Sequence, residues 1–179
     1  MRKNVVLAAA ALLLAMTFSV PAQSNTSFAG DWTLDMDKSQ LGERSRVESM
    51  TMKVTQSDNE LTYERKVERE AREGGGGGRG MGRGRGGNVG AIAFNLDGTE
   101  TKAEGGGRRG GKVTLQAKML EGGNLELHQT RSFEGPMGAI SIKTVETWEL
   151  SEDGKTLTVS SETETPRGNR SAKMVFSKN

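Results

Sequence analysis

The sequence predicts an all-β protein, an antiparallel up-and-down β-barrel of about eight to ten strands. Apolar residues recur at every second position along most of the chain, and this period places them on one face of a strand. Short segments rich in Gly, Asn, Asp and Ser separate the runs, as turns do. Short connections predict antiparallel neighbours, and closure into a barrel hides the two edge strands that a long meander would expose.

The alternation is clearest at Met50, Met52 and Val54, whose neighbours are Thr51 and Lys53. Further sets with the same period lie at 61–67, 92–96, 113–119, 125–133, 140–150, 157–159 and 174–176. Turn residues lie between them at 57–60, 96–99, 121–124, 151–155 and 165–169. Because each predicted strand has a single apolar face, the inside of the barrel is expected to be the core.

One segment has a helical alternative. Residues 61–73 contain many good helix formers, but they lack an apolar stripe with a 3.6-residue period. Tyr63 and Val67 are residue types that favour strands. We therefore expect a strand there.

The first 22 residues are predicted to be a secretory signal peptide. Arg2 and Lys3 precede an apolar run at 5–16, and Val20 and Ala22 suit a cleavage site before Gln23. The alternative is a membrane anchor, but the run is shorter than the ~20 residues a spanning helix needs. We expect a mature domain of residues 23–179, without a transmembrane segment, in the periplasm or secreted. The chain has no cysteine, so it has neither disulfides nor a lipid-accepting Cys.

Two tracts at 74–88 and 105–111 consist mainly of glycine and arginine. They carry five arginines and no acidic residue, whereas the rest of the mature chain has an excess of acidic residues. They lack the aromatic side chains on which single-stranded nucleic acids stack, so nucleic-acid binding is not expected. The favoured interpretation is a pair of disordered loops within the barrel domain. The alternative is contact with an anionic surface of the cell envelope.

The segment 28–39, FAGDWTLDMDKS, contains a Gly30-x-Trp32 element at the start of the first predicted strand. It resembles the G-x-W motif of lipocalin-type barrels. With the later segment ETWELSEDGKTLTV, it makes the chain similar to small exported bacterial proteins with lipocalin-like domains. The resemblance implies that Trp32 plugs the barrel floor, with a basic residue of the last strand, Arg170 or Lys173, over its ring. It also implies an interior that holds a lipid or another small molecule.

Extending the alternation places five polar residues on the interior side of the barrel: Arg65, Gln129, Arg131, Thr144 and Glu146. Buried polar groups need partners, so these residues are predicted to form a polar patch in a ligand cavity. Arg131 and Glu146, on neighbouring strands, would orient a head group. The alternatives are that these residues lie at a wet mouth, or that a β-bulge reverses their orientation.

No catalytic residues, metal site or cofactor are predicted. His128 is the only histidine and lies on the polar face of its strand, which excludes the usual triads and His/Cys metal sites. The segment 35–39 resembles the start of a calcium loop, but Gln40 and Arg46 occupy positions that need Gly and Glu. The sequence therefore predicts a protein that binds a small apolar or amphipathic molecule, not an enzyme. The alternative is an envelope protein that acts through its glycine/arginine tracts.

Overall fold

The structure is a computed structural model that describes residues 26–42, 45–70, 87–104, 111–135 and 138–179. The predicted signal peptide and most of the glycine/arginine tracts at 74–88 and 105–111 lie outside these ranges. In the described residues, none of the helical structure is long and apolar enough to span a membrane. The ten strands are β1 Gly30–Leu34, β2 Val47–Gln56, β3 Glu60–Arg69, β4 Gly87–Asn95, β5 Thr101–Glu104, β6 Lys112–Met119, β7 Leu125–Gly135, β8 Gly138–Leu150, β9 Thr156–Thr165 and β10 Gly168–Lys178.

All ten strands belong to one antiparallel sheet in the order β4-β3-β2-β1-β10-β9-β8-β7-β6-β5. Consecutive strands are therefore neighbours, except β4 and β5, and β1 joins the two halves by pairing with both β2 and β10. The two end strands, β4 and β5, follow each other in the chain, and β4 also approaches β6. The sheet is thus a nearly closed up-and-down barrel, which confirms the predicted fold class.

The segment with the helical alternative is a strand over its described length. β3 pairs with β2 along its whole length, and Tyr63 and Val67 are both buried on its inner face. A bulge in the β3–β4 pairing follows Tyr63, where β4 carries one extra residue. The inward orientation of Arg65 is kept, because the bulge lies on β4.

The core occupies one end of the barrel. It contains large apolar side chains, each at most 1% exposed: Leu61, Phe94, Trp148 and Phe176, which alternation placed inside, and Trp32, which the resemblance placed at the barrel floor. Phe28 precedes β1 and packs its ring edge-to-face against Trp148, with centroids 5.9 Å apart. This end is sealed by aromatic packing, and we call it the closed end.

Trp32 is fully buried at the closed end, and its indole N–H donates to the carbonyl of Phe28 at 3.0 Å. The cation over its ring is Lys178, with Nζ 5.2 Å from the ring centroid, and not Arg170 or Lys173. The register explains this correction, because Trp32 lies opposite Lys178 while the other two residues lie further along β10. Gly30 allows the close approach, since a Cβ there would come within 2.6 Å of Lys178 Cε.

We expect Trp32→Ala to lower the free energy of unfolding by about 3–5 kcal/mol, because it removes a large, fully buried side chain. Urea denaturation followed by circular dichroism measures this loss. Met36→Ala is the control, since Met36 is 42% exposed and its change should stay within about 0.5 kcal/mol. A loss below about 1 kcal/mol for Trp32→Ala would show that the indole does not hold the closed end together.

Candidate functional site

The connections between strands alternate between the two ends of the barrel. The turns β2–β3, β4–β5, β6–β7 and β8–β9 lie at the closed end, near Trp32. The β1–β2 and β9–β10 connections lie at the opposite end, which we call the mouth. The strand ends that flank both glycine/arginine tracts also lie at the mouth, because the tracts connect β3 to β4 and β5 to β6.

An ion pair crosses the middle of the barrel. The Arg65 guanidinium on β3 donates two hydrogen bonds to the Glu146 carboxylate on β8, from Nη1 at 2.6 Å and from Nη2 at 2.7 Å. Four strands separate β3 from β8 in either direction round the sheet, so the pair joins opposite walls. Both side chains are about nine-tenths buried. Such a pair persists in a barrel interior only if its remaining polar atoms also find partners.

Neighbouring side chains supply those partners. Trp148 Nε1 donates to Glu146 Oε2 at 2.9 Å, and Arg65 Nε donates to the sulfur of Met52 at 3.2 Å. The guanidinium carbon also lies 4.7 Å from the centroid of the Tyr63 ring and 5.8 Å from that of Trp148. The arginine is therefore fixed between two aromatic faces and a carboxylate.

The electrostatics keep both partners charged. Burial alone would raise the pKa of Glu146, but the charge of Arg65 and the hydrogen bonds from Arg65 and Trp148 together lower it below its ordinary value. Burial opposes the charged form of Arg65, but the charge of Glu146, the interaction with Tyr63 and the hydrogen bonds to Glu146 together outweigh burial and raise the pKa of Arg65. Burial and the nearby carboxylate raise the pKa of the Tyr63 hydroxyl, which stays neutral.

Beyond the ion pair, the inward-facing residues change from buried to half-buried towards the mouth. On β8, Trp148 and Glu146 are buried, whereas Thr144 and Ile142 are half-buried. The same change occurs on three neighbouring strands. On these strands, the inward-facing residues on the mouth side of the ion pair are half-buried. They are Gln129, Arg131 and Phe133 on β7, Ser161 and Thr163 on β9, and Ala172 on β10. Solvent therefore reaches the mouth half of the interior along β7–β10, and we call this half the chamber. Its other walls are apolar and buried, with Met50 on β2, Val67 on β3 and Leu115 on β6.

The structure divides the five predicted site residues into two groups. Arg65 and Glu146 form the ion pair at the base of the chamber, while Gln129, Arg131 and Thr144 line its wall. Arg131 and Glu146 do not meet, although they are on neighbouring strands. Arg131 lies opposite Ile142, four residues from Glu146, which is roughly 13 Å along a strand.

Sequence reasoning missed several residues of this region. Tyr63, Met52 and Trp148 surround the ion pair but look like ordinary core residues in the sequence. Thr163 lines the chamber and lies within hydrogen-bonding distance of Thr144, at 3.2 Å between their hydroxyl oxygens. The alternation on β9, continued past Val159, could have identified it.

His128 lies on the outer face of β7, where its Nε2 is 2.7 Å from Glu126. Among the described residues, no cluster of His, Asp or Glu suits a metal ion.

Comparison with known proteins gives one solved structure and no family. No family model matches the chain, and no curated protein matches it. The structure of zebrafish ileal bile acid-binding protein in complex with cholic acid superposes with a TM-score of 0.50. The match covers 86% of this chain and 100% of the zebrafish protein, at 15% sequence identity. At this identity, the likeness concerns the fold alone.

Removing one partner of the ion pair should be costly, because it leaves a buried charge without a counter-charge. We expect Glu146→Leu to lower the free energy of unfolding by about 3–5 kcal/mol. The double variant Arg65→Met/Glu146→Leu should regain most of that loss, since apolar replacements leave no buried charge. Urea denaturation of both variants measures this. Glu64→Gln, on the exposed face next to Arg65, serves as the control, and equal losses in the single and double variants would contradict the expectation.

The pair should also make stability depend on pH. Because folding lowers the pKa of Glu146, the unfolded chain takes up the proton first as the pH falls. The stabilisation is complete above the ordinary value of 4.5 and is lost as the pH falls through the lower folded value. We expect the difference in unfolding free energy between wild type and the Arg65→Met/Glu146→Leu variant to shift in favour of the variant as the pH falls from about 5 to 3. A constant difference over this range would contradict the assignment.

Proposed function

We propose that the protein is a binding protein, not an enzyme, and that it holds a small amphipathic molecule in the chamber. The observation that carries the proposal is the division of the interior by the Arg65–Glu146 pair. Below the pair, the side chains are packed and buried. Above it, inward-facing side chains on four neighbouring strands are reached by solvent.

The chamber wall suits a molecule with both apolar and polar parts. Ile142 and Phe133 supply apolar surface, and Gln129, Thr144 and Arg131 supply polar groups at intervals along the wall. Five of the eight half-buried inward residues named above are polar and three are apolar, so the wall offers apolar surface beside polar groups that can fix the orientation of a small ligand. Cholic acid, with which the zebrafish protein is complexed, is a molecule of this kind, and it guides the choice of probe.

We also propose that the barrel acts after export, in the periplasm or outside the cell. The support is the pattern of residues 1–22, with its basic start, apolar run and small residues before Gln23. The alternative function, contact with an anionic envelope surface through the tracts at 74–88 and 105–111, concerns residues that lie mostly outside the described chain.

The chamber can be tested by filling it. We expect the purified protein to bind the fluorescent probe 1-anilinonaphthalene-8-sulfonate, and sodium cholate or oleate to displace it. Ile142→Trp adds a large side chain inside the chamber and should weaken this binding by about 10-fold or more, as a loss of about 1.4 kcal/mol would.

The matched control is Ser141→Trp, one residue earlier on β8, where the side chain is exposed on the outer face. It should bind the probe like the wild type. Thermal unfolding of both variants checks that the barrel is intact. Equal probe binding by all three proteins would show that the chamber is not the binding site.

A further inference from the structure

A second concave site lies at the mouth, apart from the chamber wall. It is a pocket of about 670 Å³ between the β1–β2 connection, the start of β2, the end of β3 and the β9–β10 hairpin. Four arginines contribute to its lining: Arg46, Arg69, Arg167 and Arg170. Among the described residues that line it, none is acidic. We call it the arginine pocket.

The four arginines are available to a ligand. All four are exposed, and among the described residues none of their side chains forms an ion pair or a hydrogen bond. Two acids flank Arg69. Glu68 accepts a hydrogen bond from Ser49 Oγ at 2.8 Å, and Glu70 is exposed, with its backbone N–H donating to the Arg46 carbonyl at 2.9 Å. Arg170 also borders a smaller pocket of about 360 Å³, whose lining includes Glu162 and Glu164.

The arginines lie on opposite walls of the pocket. Arg69 ends β3, and Arg167 is in the β9–β10 turn, with β2, β1 and β10 between these strands in the sheet. Like charges facing one another repel, so an anion bound between them would relieve repulsion as well as accept hydrogen bonds. The arrangement therefore favours a ligand that bridges the two walls.

The turns at the opposite end of the barrel are mainly acidic. The turns at the closed end carry six acidic residues and one basic residue: Asp58, Asp97, Glu100, Glu121, Glu152, Asp153 and Lys155. The arginine pocket is at the other end. An uneven distribution of this kind attracts anions towards the basic end.

We propose that the arginine pocket binds a compound carrying two or more phosphate groups. The planar guanidinium donates two parallel hydrogen bonds to phosphate oxygens, and the four positive charges exceed the roughly two negative charges of one phosphate group at pH 7. The volume of the pocket also leaves room for more than one tetrahedral anion. A soluble phosphorylated compound and a phosphorylated lipid head group share this chemistry. The site is separate from the chamber and does not depend on a ligand there.

Isothermal titration calorimetry with pyrophosphate tests the proposal, with orthophosphate as the weaker reference. We expect Arg69→Gln/Arg167→Gln to bind pyrophosphate about 10-fold more weakly or worse, because each lost charge-assisted hydrogen bond is significant even at a solvated site. The control is Lys53→Gln/Lys118→Gln, which removes the same charge from exposed outer-face positions. It should bind within about twofold of the wild type, since distant surface charges are screened.

A second pair, Arg46→Gln/Arg170→Gln, repeats the test on other strands, and circular dichroism verifies the fold of each variant. Absence of pyrophosphate binding by the wild type, or equal weakening in the lysine control, would overturn the proposal. Ile142→Trp should retain pyrophosphate binding, so failure of the chamber and failure of the arginine pocket are distinguishable.

Flotation with vesicles identifies the source of the phosphates. Vesicles of phosphatidylcholine containing a phosphoinositide bisphosphate serve as the lipid probe, and pure phosphatidylcholine serves as the blank. Binding to the first that Arg69→Gln/Arg167→Gln abolishes would assign the site to lipid head groups. Pyrophosphate binding without flotation would assign it to soluble phosphorylated compounds. Flotation that all variants share equally would overturn the arginine pocket as the lipid contact.

Discussion

The structure depends on the ion pair between Arg65 and Glu146, which joins two opposite walls of the barrel at mid-height. Removing two charges from water is costly, and the cost is offset only where every polar atom finds a partner. Trp148 satisfies the carboxylate, while the face of Tyr63 lies against the guanidinium. Because these partners come from two strands on opposite sides, the pair requires the barrel to be closed and narrow at this height.

The ion pair also explains why the two halves of the interior differ. Between the pair and the closed end, aromatic side chains fill the space, and Trp32 completes the packing together with Phe28. On the mouth side no side chain of comparable size is buried on β7–β10, and threonine and glutamine replace leucine and tryptophan on the inner faces. The position of the Arg65–Glu146 pair therefore separates the densely packed closed end from the solvent-accessible wall of the chamber.

Much of this could be predicted from the sequence, because alternation alone determines which side chains face inwards. Arg65 and Glu146 were both assigned to the interior in this way. Their pairing could not be predicted, since the two residues are 81 positions apart and meet only across the closed barrel. β5 shows no apolar alternation in its four residues, and it is defined by its pairing with β6. Similarly, Lys178 rather than Arg170 covers Trp32 because of a strand register that composition does not encode.

The positions of the two proposed sites constrain how a ligand would lie. A molecule that enters from the mouth passes the arginine pocket before it reaches Ile142 and the ion pair. Glu146 cannot release Arg65 to a ligand without leaving a buried carboxylate unpaired, which costs more than a new head-group contact returns. If the chamber holds an amphipathic ligand as proposed, an acidic group of that ligand would lie near the mouth, and its apolar part would point towards the Arg65–Glu146 pair. On the same proposal, the depth of the Arg65–Glu146 pair, and not the length of the barrel, would limit the size of a ligand in the chamber.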